Sequence, residues 1–151
     1  MRETIEIILT RAMEDNIVSD AVFAESGSQR QDLWKIREEI PAAQSREGGS
    51  IKHDISVPVS KTVDFIKEAS RRVSKVIPDI RPCPFGHIGD GNIHYNLTQP
   101  INMKKEIFMQ KSGQINRIVH DLVSEMNGSI SVEHGIGFFK RDELARYASP
   151  T

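Results

Sequence analysis

The sequence has 151 residues, one cysteine and nearly balanced charge, with 20 Lys and Arg against 21 Asp and Glu. That length supports one domain with a modest core, and the balance excludes the basic footprint of a nucleic-acid binder. Cys83 alone cannot form an internal disulfide and is expected as a small buried hydrophobe. No apolar run is long enough to cross a bilayer and the start M-R-E-T is not a signal peptide, so a reducing, cytoplasmic setting is expected.

In chain order, Ile5, Ile8, Leu9, Ala12 and Met13 recur at helical spacing and predict an amphipathic helix over 4–16. Asp20 to Ala24 reads as a short strand. A second helix is expected from Ser28 or Gln29 to about Arg46, carrying Leu33, Trp34, Ile36 and Ile40, with Pro41 interrupting or kinking it. Taken alone, Arg37 reads as part of a solvated helix face. The strand 50–57 follows Gly48-Gly49. Alternation places Ile51, His53, Ile55 and Val57 on one face, and Lys52, Asp54 and Ser56 on the other. His53 is read as a satisfied core or edge histidine. Ser60 begins a helix to Ile77 with Val63, Ile66, Val73 and Val76 as its stripe.

The stretch F-G-H-I-G-D-G-N-I-H-Y-N-L, residues 85–97, is the most informative. Asp90-Gly91 predicts a two-residue type I′ turn, because both residues tolerate positive φ. That turn sets His87 directly across from His94, close enough for both imidazoles to grip one metal ion. Ile93, Tyr95 and Leu97 then face a core, whereas Asn92, His94 and Asn96 face the other way. A long helix is expected over 103–126 with Gly128 as its C-terminal cap and His120 at the surface. Ser129 to Gly137, S-I-S-V-E-H-G-I-G, reads as a strand ending in Glu133, a third possible ligand. His134 points away from Glu133 while the strand stays regular, unless the following glycines twist it round. A last helical piece is expected over 139–147.

After Gly49 the order is strand, helix, strand, strand, helix, strand, the split β-α-β-β-α-β arrangement of a ferredoxin-like α+β fold. Helices cover one face of an antiparallel sheet, and Lys52, His87, His94, Asn96 and Glu133 collect on the uncovered face. Ionisable groups in that number are costly to bury and fit a face that waits for a ligand or a second domain.

The segments G-H-I-G-D-G-N-I-H, V-E-H-G-I-G-F-F-K and I-K-H-D-I-S-V-P-V-S, in their order here, resemble the C-terminal substrate domain of FAD-linked 2-hydroxyacid dehydrogenases. That group includes D-lactate dehydrogenase, D-2-hydroxyglutarate dehydrogenase and the glycolate oxidase flavoprotein subunit. The resemblance runs from about Asp20 to Ser149. It implies oxidation of a (D-)2-hydroxy acid to a 2-oxo acid by hydride transfer to FAD, with His87, His94 and Glu133 as ligands of zinc or another divalent metal. It further implies His134 as the base, and Arg37, Lys52 and Asn96 as substrate-binding residues. Residues 1–151 are then expected to be a single domain, a fragment of the substrate domain. The N-terminal FAD-binding domain that holds most of the cofactor would be absent, and the fragment alone inactive. Two other classes stay open. A metal-dependent hydrolase would use the same residue types, although no H-E-x-x-H helix is present. A non-catalytic ferredoxin-like metal- or partner-binding module, self-associating through its polar sheet face, would also fit.

Overall fold

The computed structural model describes residues 2–138 and 140–147. The chain divides into two units, Met1–Pro41 and Ala42–Thr151. In the first, α1 (Arg2–Glu14) and the start of α2 (Gly27–Arg46) form as the apolar periodicity predicts. No strand is present at Asp20 to Ala24, and none of the unit's described residues is buried. Arg2 organises its polar contacts, pairing with Glu6 and with Glu25 at 2.6 Å and lying over the Phe23 ring. The apolar stripes of both helices stay in solvent, including Ile7, Ile8, Trp34 and Ile36. Pro41 does not end α2, which continues to Arg46.

The second unit is the α+β domain. β1 (Ser50–Ile51) and β2 (Asp54–Ser56) both pair antiparallel with β4 (Asn92–Thr98), which pairs on its other side with β3 (Arg81–His87). Strand 50–57 is thus interrupted at Lys52 and His53. β3 is an edge strand, where Pro82 and Pro84, which have no N–H to give a neighbour, are tolerated. The predicted fourth strand is reduced to one antiparallel bridge, Ser56 to Ser129, on the free side of β2. Element order and neighbours otherwise follow the split β-α-β-β-α-β arrangement.

A single 3-10 turn, Val59–Lys61, leads into α3 (Thr62–Val76). The predicted helix over 103–126 is two helices, α4 (Lys105–Gln110) and α5 (Ser112–Glu125), and α6 (Arg141–Tyr147) follows the glycine loop. The expected position Phe139 lies outside the described residues. Packed on one face of the sheet, Phe65, Ala69 and Val73 of α3, Phe108 of α4, and Ile115, Val119, Leu122 and Val123 of α5 meet Ile55, Ile93, Tyr95 and Leu97. The α3 stripe therefore runs i, i+4, i+8 from Phe65, and Val63 is exposed. In the segment expected as the last strand, Ile130 is buried but Val132 is exposed, because no strand forms there to alternate it inward.

The end of α5 shows how the cap works. Asn127, at φ 60°, takes the left-handed position, and the Gly128 and Asn127 N–H groups return to the Val123 and Ser124 carbonyls. Gly128 is required one position later for closeness: a Cβ there would strike the Ser56 carbonyl oxygen.

Two histidines lie on the core side. His53 is buried as expected, its Nδ1 donating to the Tyr95 carbonyl at 2.8 Å and its Nε2 lying 3.0 Å from the Asn116 amide. His120, expected at the surface, is buried against α6, with Nδ1 3.0 Å from Glu143 and the Tyr147 ring at its edge. Burial lowers the His53 pKa to about 4, against the opposing pull of the Tyr95 and Asn116 contacts, and the charges of His120 and Lys140 push it the same way as burial. An unfolded histidine titrates near its ordinary value of 6.5, so between these values the unfolded state binds more protons and stability falls as pH falls. Burial likewise lowers the His120 pKa, an effect that the Glu143 contact opposes. Urea unfolding is expected to lose roughly 3 kcal/mol of stability between neutral pH and pH near 4 on account of His53, and a flat profile over that range would contradict it.

Candidate functional site

The loop joining β3 to β4 decides how the site histidines meet. The final pair is His87 with Asn92, so four residues, Ile88 to Gly91, form the loop. Gly91 has φ 75°, but Asp90 is not at positive φ. Instead, the Asp90 carboxylate accepts the Asn92 N–H at 3.0 Å, a local bond that competes with the tighter turn. Gly91 also abuts β2: its carbonyl accepts the Val57 N–H, and a Cβ would meet the Val57 carbonyl. The register consequently differs from the one expected, and His94 lies opposite Phe85 rather than His87. Because the slip is two residues, the facing of every side chain is kept. His87 and His94 become diagonal neighbours, with ring centroids 6.5 Å apart.

Glu133 lies between them. One oxygen is 3.2 Å from His87 Nδ1 and the other 3.2 Å from His94 Nε2. His134 joins the group beside His94, at 5.7 Å between rings. Among the described residues, the group whose ligand atoms all lie within 4.8 Å of one another is His94, Glu133 and His134. Adjacent residues can both reach His94 because no strand forms here; the backbone bends over 132–134.

A residue not singled out from the sequence shapes this bend. Asp54 pairs with His94 across β2 and β4 and is 3% exposed. Its Oδ2 accepts the N–H groups of Val132, Glu133 and His134 at 3.3, 2.8 and 2.8 Å, and its Oδ1 accepts Asn92 Nδ2 at 3.0 Å. Burial alone would raise the Asp54 pKa, but the His134 backbone, the Asn92 side chain and the other two amides outweigh it and hold the carboxyl below its usual range. The sequence signal was the alternation that puts Asp54 on the Lys52 face.

The substrate-binding expectations are distributed as follows. Asn96 is on the site face of β4, but that face is covered there rather than open. Asn96 is buried, and its Nδ2 donates to Gln44 Oε1 at 2.9 Å, while Gln44 Nε2 donates to Thr98 Oγ1. Gln44, near the end of α2, escaped the sequence reading because a polar residue in a mostly exposed helix carries no burial signal. Lys52 lies exposed in the break between β1 and β2. Arg37 belongs to α2 within the first unit.

The domain model of the C-terminal domain of FAD linked oxidases matches residues 1–151. The chain belongs to this family. It is similar to D-2-hydroxyglutarate dehydrogenase of Stutzerimonas stutzeri, 44% identical over 138 residues, covering 91% of this chain and 30% of that protein. It is also similar to the probable mitochondrial D-2-hydroxyglutarate dehydrogenase of Oryza sativa subsp. indica, 37% identical over 93% of this chain and 24% of the relative. A third relative, the mitochondrial D-2-hydroxyglutarate dehydrogenase of Arabidopsis thaliana, is 33% identical over 99% of this chain and 25% of its own length. The chain thus spans about a quarter to a third of the relatives it matches. Among the described residues, no helix of this FAD linked oxidase domain is long and apolar enough to cross a membrane.

Proposed function

We propose that this domain is the substrate-binding part of an FAD-dependent dehydrogenase that oxidises a D-2-hydroxy acid to a 2-oxo acid, with D-2-hydroxyglutarate the first substrate to test. The observation that carries the reading is the Glu133 carboxylate set between His87 and His94 with His134 alongside, in a chain of this family. Two imidazoles and a carboxylate form a donor set that suits zinc and leaves an open position. The proposed ligands are His87, His94 and Glu133, the set the resemblance implies, with Glu133 reaching both histidines. A divalent ion held there would supply Lewis acidity, lowering the pKa of a substrate hydroxyl. FAD would supply the hydride acceptor, held mainly by another domain of a longer protein.

The chain's own residues do the rest. His134, with its side chain 71% exposed, is accessible to a substrate, and a neutral imidazole there could accept the hydroxyl proton. Lys52 would draw in the substrate carboxylate, with Arg37 as a second cation for it, and Asn96 would orient the substrate through its amide once that amide is released from Gln44. The unburied apolar residues of the first unit, Trp34 and Ile36 among them, suit docking against the FAD-binding domain. A cytoplasmic setting belongs to this proposal, and the mitochondrial names of plant relatives mark the compartment as the point to test.

Calorimetric titration of the purified chain with D-2-hydroxyglutarate, before and after loading with one equivalent of zinc, tests the reading. Binding is expected only after loading. Equal binding in both states, or none in either, would count against the metal-assisted site.

A further inference from the structure

We infer that Asp54 is the positioning residue of this site, the group that turns two consecutive residues toward one histidine. The inference rests on the reading of Glu133 as a ligand and His134 as a base. In an extended strand these neighbours would project to opposite faces. Here, three successive N–H groups, those of Val132, Glu133 and His134, converge on Oδ2 of one carboxylate. Backbone amides gathered in this way form a concave nest for an anion, and the anion is supplied by the sheet itself.

The arrangement is built from both sides. β2 places Asp54 directly opposite His94, so one residue sets the distance between the histidine on the sheet and the segment that bears the other two groups. Asn92, on the same face of β4, holds Oδ1 and leaves Oδ2 for the nest. The carboxylate also stands behind both rings, with Oδ1 4.0 Å from His94 Nδ1 and Oδ2 3.8 Å from His134 Nδ1. These separations are too long for hydrogen bonds, but they present negative charge to the inner edge of each imidazole.

An amide is a weaker substitute for this group. A carboxylate accepts through both oxygens and carries the charge that strengthens each bond from the three N–H groups, whereas asparagine offers one neutral oxygen and must set its NH2 toward Asn92, whose own amide has to turn to accept it. Asp54→Asn therefore preserves shape and weakens the nest.

The test combines amide hydrogen exchange, read by NMR on the metal-free chain, with zinc affinity measured by chelator competition. In the wild type, the Glu133 and His134 amides are expected to be protected. In Asp54→Asn they should exchange at least about ten-fold faster while Tyr95 and Leu97 keep their protection, and zinc affinity should fall about 10- to 100-fold, as it does when groups behind metal ligands are lost. Unprotected Glu133 and His134 amides in the wild type would overturn the inference, as would unchanged exchange and affinity in Asp54→Asn. If the variant loses protection at Tyr95 and Leu97, the wild-type exchange decides alone. A wild type that binds no zinc defeats the metal reading, whereas the exchange result still tests Asp54 separately.

Discussion

His94→Ala is expected to remove stoichiometric zinc from the protein, with affinity lowered at least about 100-fold, since losing a ligand costs no less than losing its outer-shell support. His94 is the choice because it belongs to both sets of groups that the site brings together. It shares Glu133 with His87, and it also belongs to the compact set with Glu133 and His134. Its side chain is 13% exposed and lies against the Phe85 ring, so it is held in place before any ion arrives. The two flanking histidines then separate the sets. If His87 is the third ligand, His87→Ala releases the metal while His134→Ala retains it. The opposite pattern would assign the third ligand to His134 and withdraw it as the base. Elemental analysis of the three variants, purified without a metal-affinity step, reads the outcome directly.

Phe65→Ala is expected to lower stability by about 4 kcal/mol, a large part of what a domain of this size possesses. Phe65 is fully buried on α3 and meets the Tyr95 ring edge-on at 5.5 Å, beneath the strand that carries His94. Val63→Ala, two residues earlier, should change stability by no more than about 0.5 kcal/mol, because Val63 is exposed. Urea unfolding of the two variants measures the contrast. Similar losses in both would mean that α3 packs through the Val63 face after all. The consequence reaches the site: the Ile93, Tyr95 and Leu97 side chains rest on the helices while Asn92, His94 and Asn96 alternate to the opposite face, so damage to the helix layer should loosen His94 as well.

These two expectations draw on different levels of the molecule. The alternation in N-I-H-Y-N-L was enough to separate core residues from site residues, because a strand's side-chain period of two is local geometry. The same argument assigned Lys52 and Asp54 to one face and His53 to the other. The resemblance carried by the hairpin and by V-E-H-G-I-G pointed to the family that the domain match shows. Face assignment even withstood the wrong turn, since an error of two residues in register leaves parity unchanged.

Helix faces were less legible. Apolar periodicity in the first unit was sufficient for helix formation but not for burial, and α1 has its stripe in solvent. On α3 the predicted stripe is buried at Val73 and packs against the core at Ile66 and Val76, but Val63 is exposed, and Phe65, which meets the Tyr95 ring, was not read as part of it. His120 looked like a surface residue because its cover, Glu143 and Tyr147, comes from a helix more than twenty residues later.

By itself, then, the sequence determined the α+β order, the core face of the sheet and the family, and it singled out the histidines and acid proposed for the site. Those features follow from short-range periodicity and from motifs that lie contiguous in the chain. Tertiary structure decided the diagonal pairing of His87 and His94, the burial of Asn96 beneath Gln44 and the bend that brings His134 round beside Glu133. Each of these depends on a partner far away in sequence. The bend in particular depends on Asp54, some eighty residues before the amides it gathers, and no local pattern in V-E-H-G could have announced it.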